Sequence, residues 1–276
     1  MTTSRFRPLP DFVVIGAKRC GTTSLYRVLE QHPGMMPLVP SAKYFPMAEN
    51  MKGVHWFDRY PEHSDRWYRS HFATSFARNA RQKSIGGSVV SGEASPYYMF
   101  HPRAIDLSVA HLGDAKLVVM LRNPVDRAHS HYKEQVRNNS ETLSFEDALA
   151  AEAAILEREV DLMAGDPSYY SYLHENRSYV AQSMYGAILS QWFGRIPSDR
   201  FKVIRSEDFY SDPQKVLAEV LEFLGLEPFE FQDLSPRNAA PGKGISAEVR
   251  QELWSTFQDD VSTLESLCGR SFLWDQ

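Results

Sequence analysis

Short apolar runs alternating with helical patterns organise the chain. Residues 12–15 form a β-branched run between polar and turn-forming positions, which predicts a strand buried on both faces. Beyond the next loop, Leu25, Val28 and Leu29 recur at helical spacing, and the Pro-Gly pair at residues 33–34 ends that pattern. The first elements are therefore a strand, a loop and a helix.

Three more apolar runs, at residues 88–90, 116–121 and 200–205, predict buried strands. Two helix-start signals follow in the second half of the chain: Ser144 opens a capping box, and Asp212 precedes a proline at the first helical position. Strands that alternate with helices predict an α/β fold with a central, mainly parallel sheet and helices on both of its faces.

Residues 34–86 match neither the strand period nor the helix period. They are rich in Met, Trp, His and Tyr, and we interpret them as an insertion over the carboxyl edge of the sheet. The remaining pattern is continuous, so we predict a single domain that covers residues 1–276.

The composition is that of an ordinary globular protein, with 43% hydrophobic and 24% charged residues. A formal net charge of −5 argues against broad binding to nucleic acid or to an anionic membrane, so any anionic ligand must be held by a local cluster of cations. No apolar run approaches the length of a membrane span, and residues 1–10 lack the apolar core of a signal peptide. With only two cysteines, far apart in sequence, these features predict a cytoplasmic protein with no membrane span and no nucleic-acid partner.

The strongest local motif lies between the first strand and the first helix. Residues 16–23 have the Gly-x-x-x-x-Gly spacing of a phosphate-binding loop, in which backbone N–H groups and a helix N-terminus attract an anion. Thr22 occupies the position of the nucleotide-binding lysine of such loops, whereas the cations Lys18 and Arg19 lie within the loop. The motif thus predicts an anion site that differs from those of kinases and NTPases.

A second motif follows the run at residues 116–121. Arg122 stands at the carboxyl end of that strand, where kinases and GTPases commonly place the aspartate that holds Mg²⁺. Pro124 is suited to the first position of a helix, which places Ser130 about two turns further on. An arginine can donate two hydrogen bonds to a phosphate, and a serine hydroxyl can donate another. This motif therefore predicts a second anion site that needs no metal.

Together, the two motifs resemble those of the sulfotransferases that use 3′-phosphoadenosine 5′-phosphosulfate (PAPS). Residues 12–25 are similar to the family's 5′-phosphosulfate loop, and residues 121–132 are similar to its 3′-phosphate motif. Weaker likenesses at residues 52–58, 92–97 and 241–244 match acceptor-side segments and a C-terminal cofactor loop, and they point to the heparan sulfate sulfotransferase-like branch with its soluble bacterial relatives. The resemblance implies a P-loop-type three-layer fold, in which the insertion lies on the acceptor side.

The resemblance implies in-line, metal-free transfer of the sulfuryl group from PAPS to a hydroxyl, or less commonly an amine, of a small-molecule, glycolipid or carbohydrate acceptor. The departing product is 3′,5′-phosphoadenosine (PAP). The family's lysine at the bridging oxygen corresponds to Arg19, so the expected catalytic cation is either Arg19 or Lys18. The residues that the resemblance assigns to the cofactor are Lys18, Arg19, Cys20, Gly21, Thr22, Thr23 and Ser24 on the first loop, Arg122 and Ser130 at the 3′-phosphate, and Lys243 and Gly244 on the closing loop.

The general base is the part of the resemblance that this sequence does not match. Heparan-type members carry a glutamate where this chain has Gly53, so we expect the base to be His55 or, as second choice, Glu93. Each has a structural alternative. His55 can be a hydrogen-bonded structural residue, and Glu93 can be a partner that orients Lys18 or Arg19.

Two other functions stay open on the sequence alone. One is a P-loop kinase or NTPase, which Thr22 and Arg122 disfavour; the other is a nucleotide-binding protein without catalysis, suggested by Gly53. Under the sulfotransferase interpretation, the negative net charge favours a neutral or weakly charged acceptor with a hydroxyl group, such as a carbohydrate-containing compound or a natural product.

Overall fold

A five-stranded, all-parallel sheet forms the centre of the protein. The computed structural model describes residues 4–39, 51–234 and 244–274. The strand order is β2-β3-β1-β4-β5, so consecutive strands are joined by crossovers. This confirms the predicted α/β fold with a parallel sheet between helices. The strands are β1 (Phe12–Gly16), β2 (Met35–Met36), β3 (Val90–Ala94), β4 (Lys116–Leu121) and β5 (Phe201–Arg205).

Helices connect these strands and cover the sheet. The segment from residue 51 to residue 85, within the predicted insertion, contributes three helices of 4, 5 and 11 residues. The described helices are α1 (Thr22–Leu29), α2 (Trp56–Arg59), α3 (Asp65–Arg69), α4 (Ser75–Ile85), α5 (Ala104–His111), α6 (Pro124–Arg137), α7 (Phe145–Gly165), α8 (Tyr172–Asn176), α9 (Tyr185–Phe193), α10 (Ser206–Ser211), α11 (Pro213–Leu224) and α12 (Ala247–Cys268).

The central strand β1 is buried over its whole length and pairs with β3 on one side and β4 on the other. Its apolar run is continuous because helices cover both faces of the sheet. The predicted strand at residues 88–90 is displaced: β3 begins at Val90 and extends to Ala94. A Cβ on Gly92 would lie 2.5 Å from the Phe12 ring, so this glycine allows β3 to approach β1. The next residue, Glu93, is buried, and its carboxylate accepts hydrogen bonds.

The helix-start signals at Ser144 and Asp212 are confirmed, and the Asp212 carboxylate accepts a hydrogen bond from the N–H of Lys215 at 3.2 Å at the start of α11. At the start of α6, where Pro124 is the first residue, Asn123 accepts hydrogen bonds from the N–H groups of Val125 and Asp126. The Ser144 hydroxyl accepts from the N–H of Asp147 at 3.1 Å at the start of α7. These side chains satisfy N–H groups that the first turn of a helix leaves without a backbone partner.

The last helix, α12, packs against α9 and is tied to it by one carboxylate. Asp260 accepts hydrogen bonds from the N–H groups of Gly186 and Ala187, both at 2.8 Å, at the first turn of α9. The carboxylate is thus a cap supplied by a neighbouring helix, and its negative charge lies at the positive end of the α9 dipole.

Replacement of Asp260 by asparagine should destabilise the protein by about 2 kcal/mol, because one amide oxygen replaces two charged acceptors and leaves a buried N–H without a partner. Urea denaturation followed by circular dichroism measures this loss. Asp259→Asn is the matched control: Asp259 is exposed on the same helix, and its change should stay within about 0.5 kcal/mol. Equal effects of the two substitutions would contradict the capping role.

Candidate active site

The first part of the site is the loop between β1 and α1. β1 ends at Gly16, and the helix begins at Thr22 after Gly21, whose φ of 90° lies in the left-handed region that favours glycine. Gly21 has no side chain to cap the helix, and the first turn of α1 carries no acidic residue. A helix start without a side-chain cap or an acidic residue suits an anionic ligand.

Helix α10 supports this loop from outside. The Ser206 hydroxyl donates to the Cys20 carbonyl oxygen at 2.6 Å, and a Cβ on Gly21 would lie 2.6 Å from the Tyr210 hydroxyl. The Cys20 thiol lies 3.6 Å from the Tyr185 hydroxyl, and its burial raises its pKa to about 11. Cys20 is thus a neutral, packed side chain at physiological pH.

The second part of the site follows β4. Arg122 comes directly after the strand, and its carbonyl oxygen accepts a hydrogen bond from the Tyr185 hydroxyl at 3.1 Å. The next residue, Asn123, donates its backbone N–H to Glu207 at 2.9 Å. These contacts fix the turn into α6, which carries Ser130 two turns from its start.

A cavity of about 740 Å³ joins the two parts. Lys18, Ser24, His55 and Glu93 are absent from its walls, and Lys243 lies outside the described residues. The predicted cofactor residues that line it are Arg19, Cys20, Gly21, Thr22, Thr23, Arg122, Ser130 and Gly244.

The cavity wall also includes residues that were not predicted. Asp126, His129 and Lys133 lie on the same face of α6 as Ser130, and Arg250 reaches the cavity from α12. Asp126, His129 and Lys133 follow one another at spacings of three and four residues, which is the signal that could have identified them, whereas nothing in the local sequence indicates Arg250.

The electrostatic character of this wall is positive. Arg250 forms a 2.6 Å ion pair with Asp126, and Arg122 and Lys133 add two further cations. Burial, with the nearby charge of Lys133, lowers the pKa of His129, so this ring is neutral at physiological pH. The arrangement suits a ligand with more than one negative charge.

The two loop cations point to different partners. Arg19 lines the cavity, where its Nε donates to the Ser130 hydroxyl at 3.3 Å and its guanidinium forms a 2.5 Å ion pair with Glu134. Lys18 instead donates to Glu175 at 2.7 Å and to the Asn176 side-chain oxygen at 3.0 Å. Arg19 is therefore the loop cation that faces the cavity.

Glu175 is a buried carboxylate shared by two cations. It forms ion pairs with Lys18 at 2.7 Å and with Arg59 of α2 at 3.0 Å, and it accepts a hydrogen bond from Tyr170. Burial acts to raise its pKa, but the charges of Lys18 and Arg59 outweigh burial and bring the pKa to about 2. Glu175 thus stays ionised and holds helix α2 beside the β1–α1 loop.

The expectation that Glu93 orients Lys18 or Arg19 is wrong, because the carboxylates on those cations are Glu175 and Glu134. The Glu93 side chain is fully buried at the end of β3. It accepts hydrogen bonds from the Val54 N–H and the Ser95 hydroxyl, both at 2.6 Å. It also accepts from the hydroxyl groups of Tyr68 at 2.8 Å and Tyr98 at 3.3 Å.

His55 lies on the acceptor-side segment that Glu93 anchors. Its φ is 56°, its backbone N–H donates to Ser95, and its Nδ1 lies 3.0 Å from Oδ2 of the buried Asp58. A Cβ on Gly53 would lie 2.5 Å from the Ala94 carbonyl oxygen, so this conformation has no room for a glutamate at residue 53. The imidazole retains 26% exposure of its side chain.

In residues 4–39, 51–234 and 244–274, no group of three or more His, Cys, Asp or Glu side chains could hold a metal ion. Over the same part of the chain, no helix combines the length and apolarity required to cross a bilayer. A cytoplasmic location stays a prediction from the sequence.

Comparison with known proteins identifies this architecture. Residues 10–231 match the model of the sulfotransferase family. The chain belongs to the sulfotransferase family. The match confirms the resemblance predicted from the sequence and replaces the kinase or NTPase alternative.

A solved relative shares the whole fold of this sulfotransferase. A crystal structure of a sulfotransferase from Alicyclobacillus acidocaldarius is 29% identical and has a TM-score of 0.71, and the alignment covers 98% of this chain and 100% of that one.

Curated relatives are more distant and longer. The membrane-associated sulfotransferase kil1 of Dictyostelium discoideum is 25% identical over 96% of this chain and 66% of its own length. Human carbohydrate sulfotransferase 15 is 25% identical over 98% of this chain and 55% of its own. Human bifunctional heparan sulfate N-deacetylase/N-sulfotransferase 3 is 27% identical over 80% of this chain and 23% of its own. The chain thus spans from about a quarter to two thirds of these relatives.

An alanine in the left-handed conformation costs about 1–2 kcal/mol. Replacement of Gly21 by alanine should destabilise the protein by more than this, because the new Cβ would also lie 2.6 Å from the Tyr210 hydroxyl. Gly86→Ala is the control, since Gly86 has a φ of 69° but no atom within 4 Å of an added Cβ. Thermal unfolding compares the two variants. A Gly21 variant no less stable than the Gly86 variant would contradict the close packing of α10 on the loop.

Proposed function

We propose that the protein transfers the sulfuryl group of PAPS to a hydroxyl of a carbohydrate-type acceptor. The observation that carries this proposal is one cavity that contains both the uncapped start of α1 and the Arg122–Ser130 pair. A donor with a phosphosulfate at one end and a 3′-phosphate at the other needs two anion sites that open into the same space. Membership of the sulfotransferase family supports the same reaction.

The residues present fit the donor. Thr22 and Thr23 place their N–H and hydroxyl groups at the positive end of α1, which suits the 5′-phosphosulfate. Arg122, Ser130 and Lys133 supply charge and a hydroxyl for the 3′-phosphate. The cations are local, as the net charge of −5 requires.

The transfer needs charge stabilisation at the departing phosphate. A bond forms between the acceptor oxygen and sulfur, the bond between sulfur and the bridging oxygen breaks, and its electron pair stays on the 5′-phosphate of PAP. Arg19 is the cavity-facing loop cation and stabilises that charge. Arginine does not donate a proton at neutral pH, and a phosphate leaving group does not require one.

The acceptor proton goes to His55 in this proposal. Asp58 accepts the hydrogen bond from Nδ1–H at 3.0 Å, which leaves Nε2 with the lone pair that a general base needs. Glu93 is a weaker candidate, because its carboxylate is fully buried and occupied by four donors. We assign Glu93 to anchoring the segment that carries His55.

The acceptor class rests on the relatives. Two of them are named as a carbohydrate sulfotransferase and a heparan sulfate N-sulfotransferase. The acidic net charge of this chain favours an acceptor that is neutral or weakly charged over a highly sulfated polymer.

Arg122→Ala should weaken PAP binding by about 10- to 100-fold and adenosine 5′-phosphate binding by less than about 2-fold, because only PAP carries the 3′-phosphate that Arg122 contacts in this proposal. Isothermal titration calorimetry measures both affinities. Arg66→Ala, at an exposed position of α3, controls for general loss of charge. Equal losses for the two ligands would remove Arg122 from the 3′-phosphate site.

His55→Ala should lower sulfuryl transfer by about 10²- to 10⁴-fold while PAP affinity stays within about 2-fold, since a general base acts on the acceptor and not on donor binding. Transfer of ³⁵S from labelled PAPS to a panel of phenols, monosaccharides and oligosaccharides measures the rate. Asp58→Asn should give an intermediate loss, and the exposed His63→Ala should give none. If wild-type protein binds PAP but labels no acceptor, the non-catalytic alternative replaces this proposal.

A further inference from the structure

Lys52 is a cation beside the β1–α1 loop that the proposed mechanism has not used. Its Nζ lies 3.5 Å from the Thr22 hydroxyl at the start of α1. Lys18 and Arg19 each have a carboxylate at 2.7 Å or less. Lys52 has no carboxylate within ion-pair distance in the described parts of the chain, and its Nζ reaches the cavity wall through Thr22.

The backbone of residues 52–54 is fixed against the end of β3. The Lys52 carbonyl oxygen accepts a hydrogen bond from the Ala94 N–H at 2.7 Å, and the Val54 N–H donates to Glu93 at 2.6 Å. Gly53 lies so close to Ala94 that an added Cβ would be 2.5 Å from its carbonyl oxygen. Three consecutive residues are thus held by β3, which sets where the Lys52 side chain begins.

The surroundings of Lys52 disfavour an isolated charge. Burial is the main cause that lowers its pKa, to about 8, and the cations Lys18 on the loop and Arg27 on α1 lower it further. Glu93 on β3 and Glu134 on α6 act in the opposite direction without forming an ion pair. A buried ammonium in this position gains most from an anion that brings its own negative charge.

We propose that Lys52 binds the 5′-phosphosulfate end of the donor, together with Thr22 and the first turn of α1. This inference rests on the proposed function, because it takes PAPS as the donor. It deepens that proposal by adding an acceptor-side cation to the donor site. Lys52 supplies the positive charge that Lys18 cannot supply to the donor, since Glu175 neutralises Lys18.

The segment that carries Lys52 also carries His55, three residues later. The donor end and the general base are therefore held by one short piece of chain, anchored by Glu93.

The test measures binding, not turnover. Lys52→Met should weaken PAP binding by about 10- to 100-fold, because a charge-assisted contact to the 5′-phosphate is lost. The same substitution should change the affinity for adenosine 3′-phosphate, which lacks that phosphate, by less than about 2-fold. Lys52→Arg should retain most of the PAP affinity, and Lys83→Met, at an exposed position of α4, should have no effect.

The pH dependence provides a second readout. Below a pH of about 8 the Lys52 ammonium is charged, and above it the charge is lost as the pH rises, so wild-type PAP affinity should fall between about pH 8 and 9.5. Lys52→Arg should remove this fall, because a guanidinium keeps its charge over the whole range.

The outcomes separate the two proposals. If wild-type protein does not bind PAP, the proposed function and this inference both fail. If wild-type protein binds PAP and Lys52→Met binds it equally well, or loses affinity for both ligands alike, the proposed function survives and the role of Lys52 is overturned. Circular dichroism and thermal unfolding of Lys52→Met establish that the variant is folded.

Discussion

The parallel pairing of β1 with β4 is the constraint on which the site depends. Register places Gly16 opposite Val119, so the loop after β1 and the arginine after β4 leave the sheet at the same edge. About a hundred residues separate them in sequence, yet backbone hydrogen bonds fix their separation in space. The sheet, and not flexible side chains, therefore sets the distance between the two loops that form the candidate site.

Carboxylates hold both cations of the β1–α1 loop in place. Glu134 and Glu175 each hold one of the two loop cations, so these side chains are ordered before any ligand is present. An arginine or lysine that is already oriented loses less conformational entropy when it contacts a phosphate. The pairs order the loop cations but add no net charge, so the positive character of the cavity wall comes from Arg122 and Lys133.

The sequence predicted those parts of the site whose conformation is local. The strand at residues 12–15, the loop to Gly21 and the helix that begins at Pro124 follow from apolar runs, glycine and a helix-start proline within a few positions of each other. The partners of Lys18 and Arg19 were not predicted, because Glu175 and Glu134 are distant in sequence and carry no local signal. For the same reason the start of β3 was displaced: the burial of Gly92 and Glu93 depends on contacts with β1 and the acceptor-side segment.

The carboxylate of Glu175 has a consequence for the β1–α1 loop. It is shared by Lys18 on the donor loop and Arg59 on α2, one turn beyond His55. A ligand that draws Arg59 away would leave Glu175 to Lys18 alone and strengthen that ion pair. The conformation of the β1–α1 loop therefore depends on what Arg59 contacts, although Arg59 lies on a different segment of the chain.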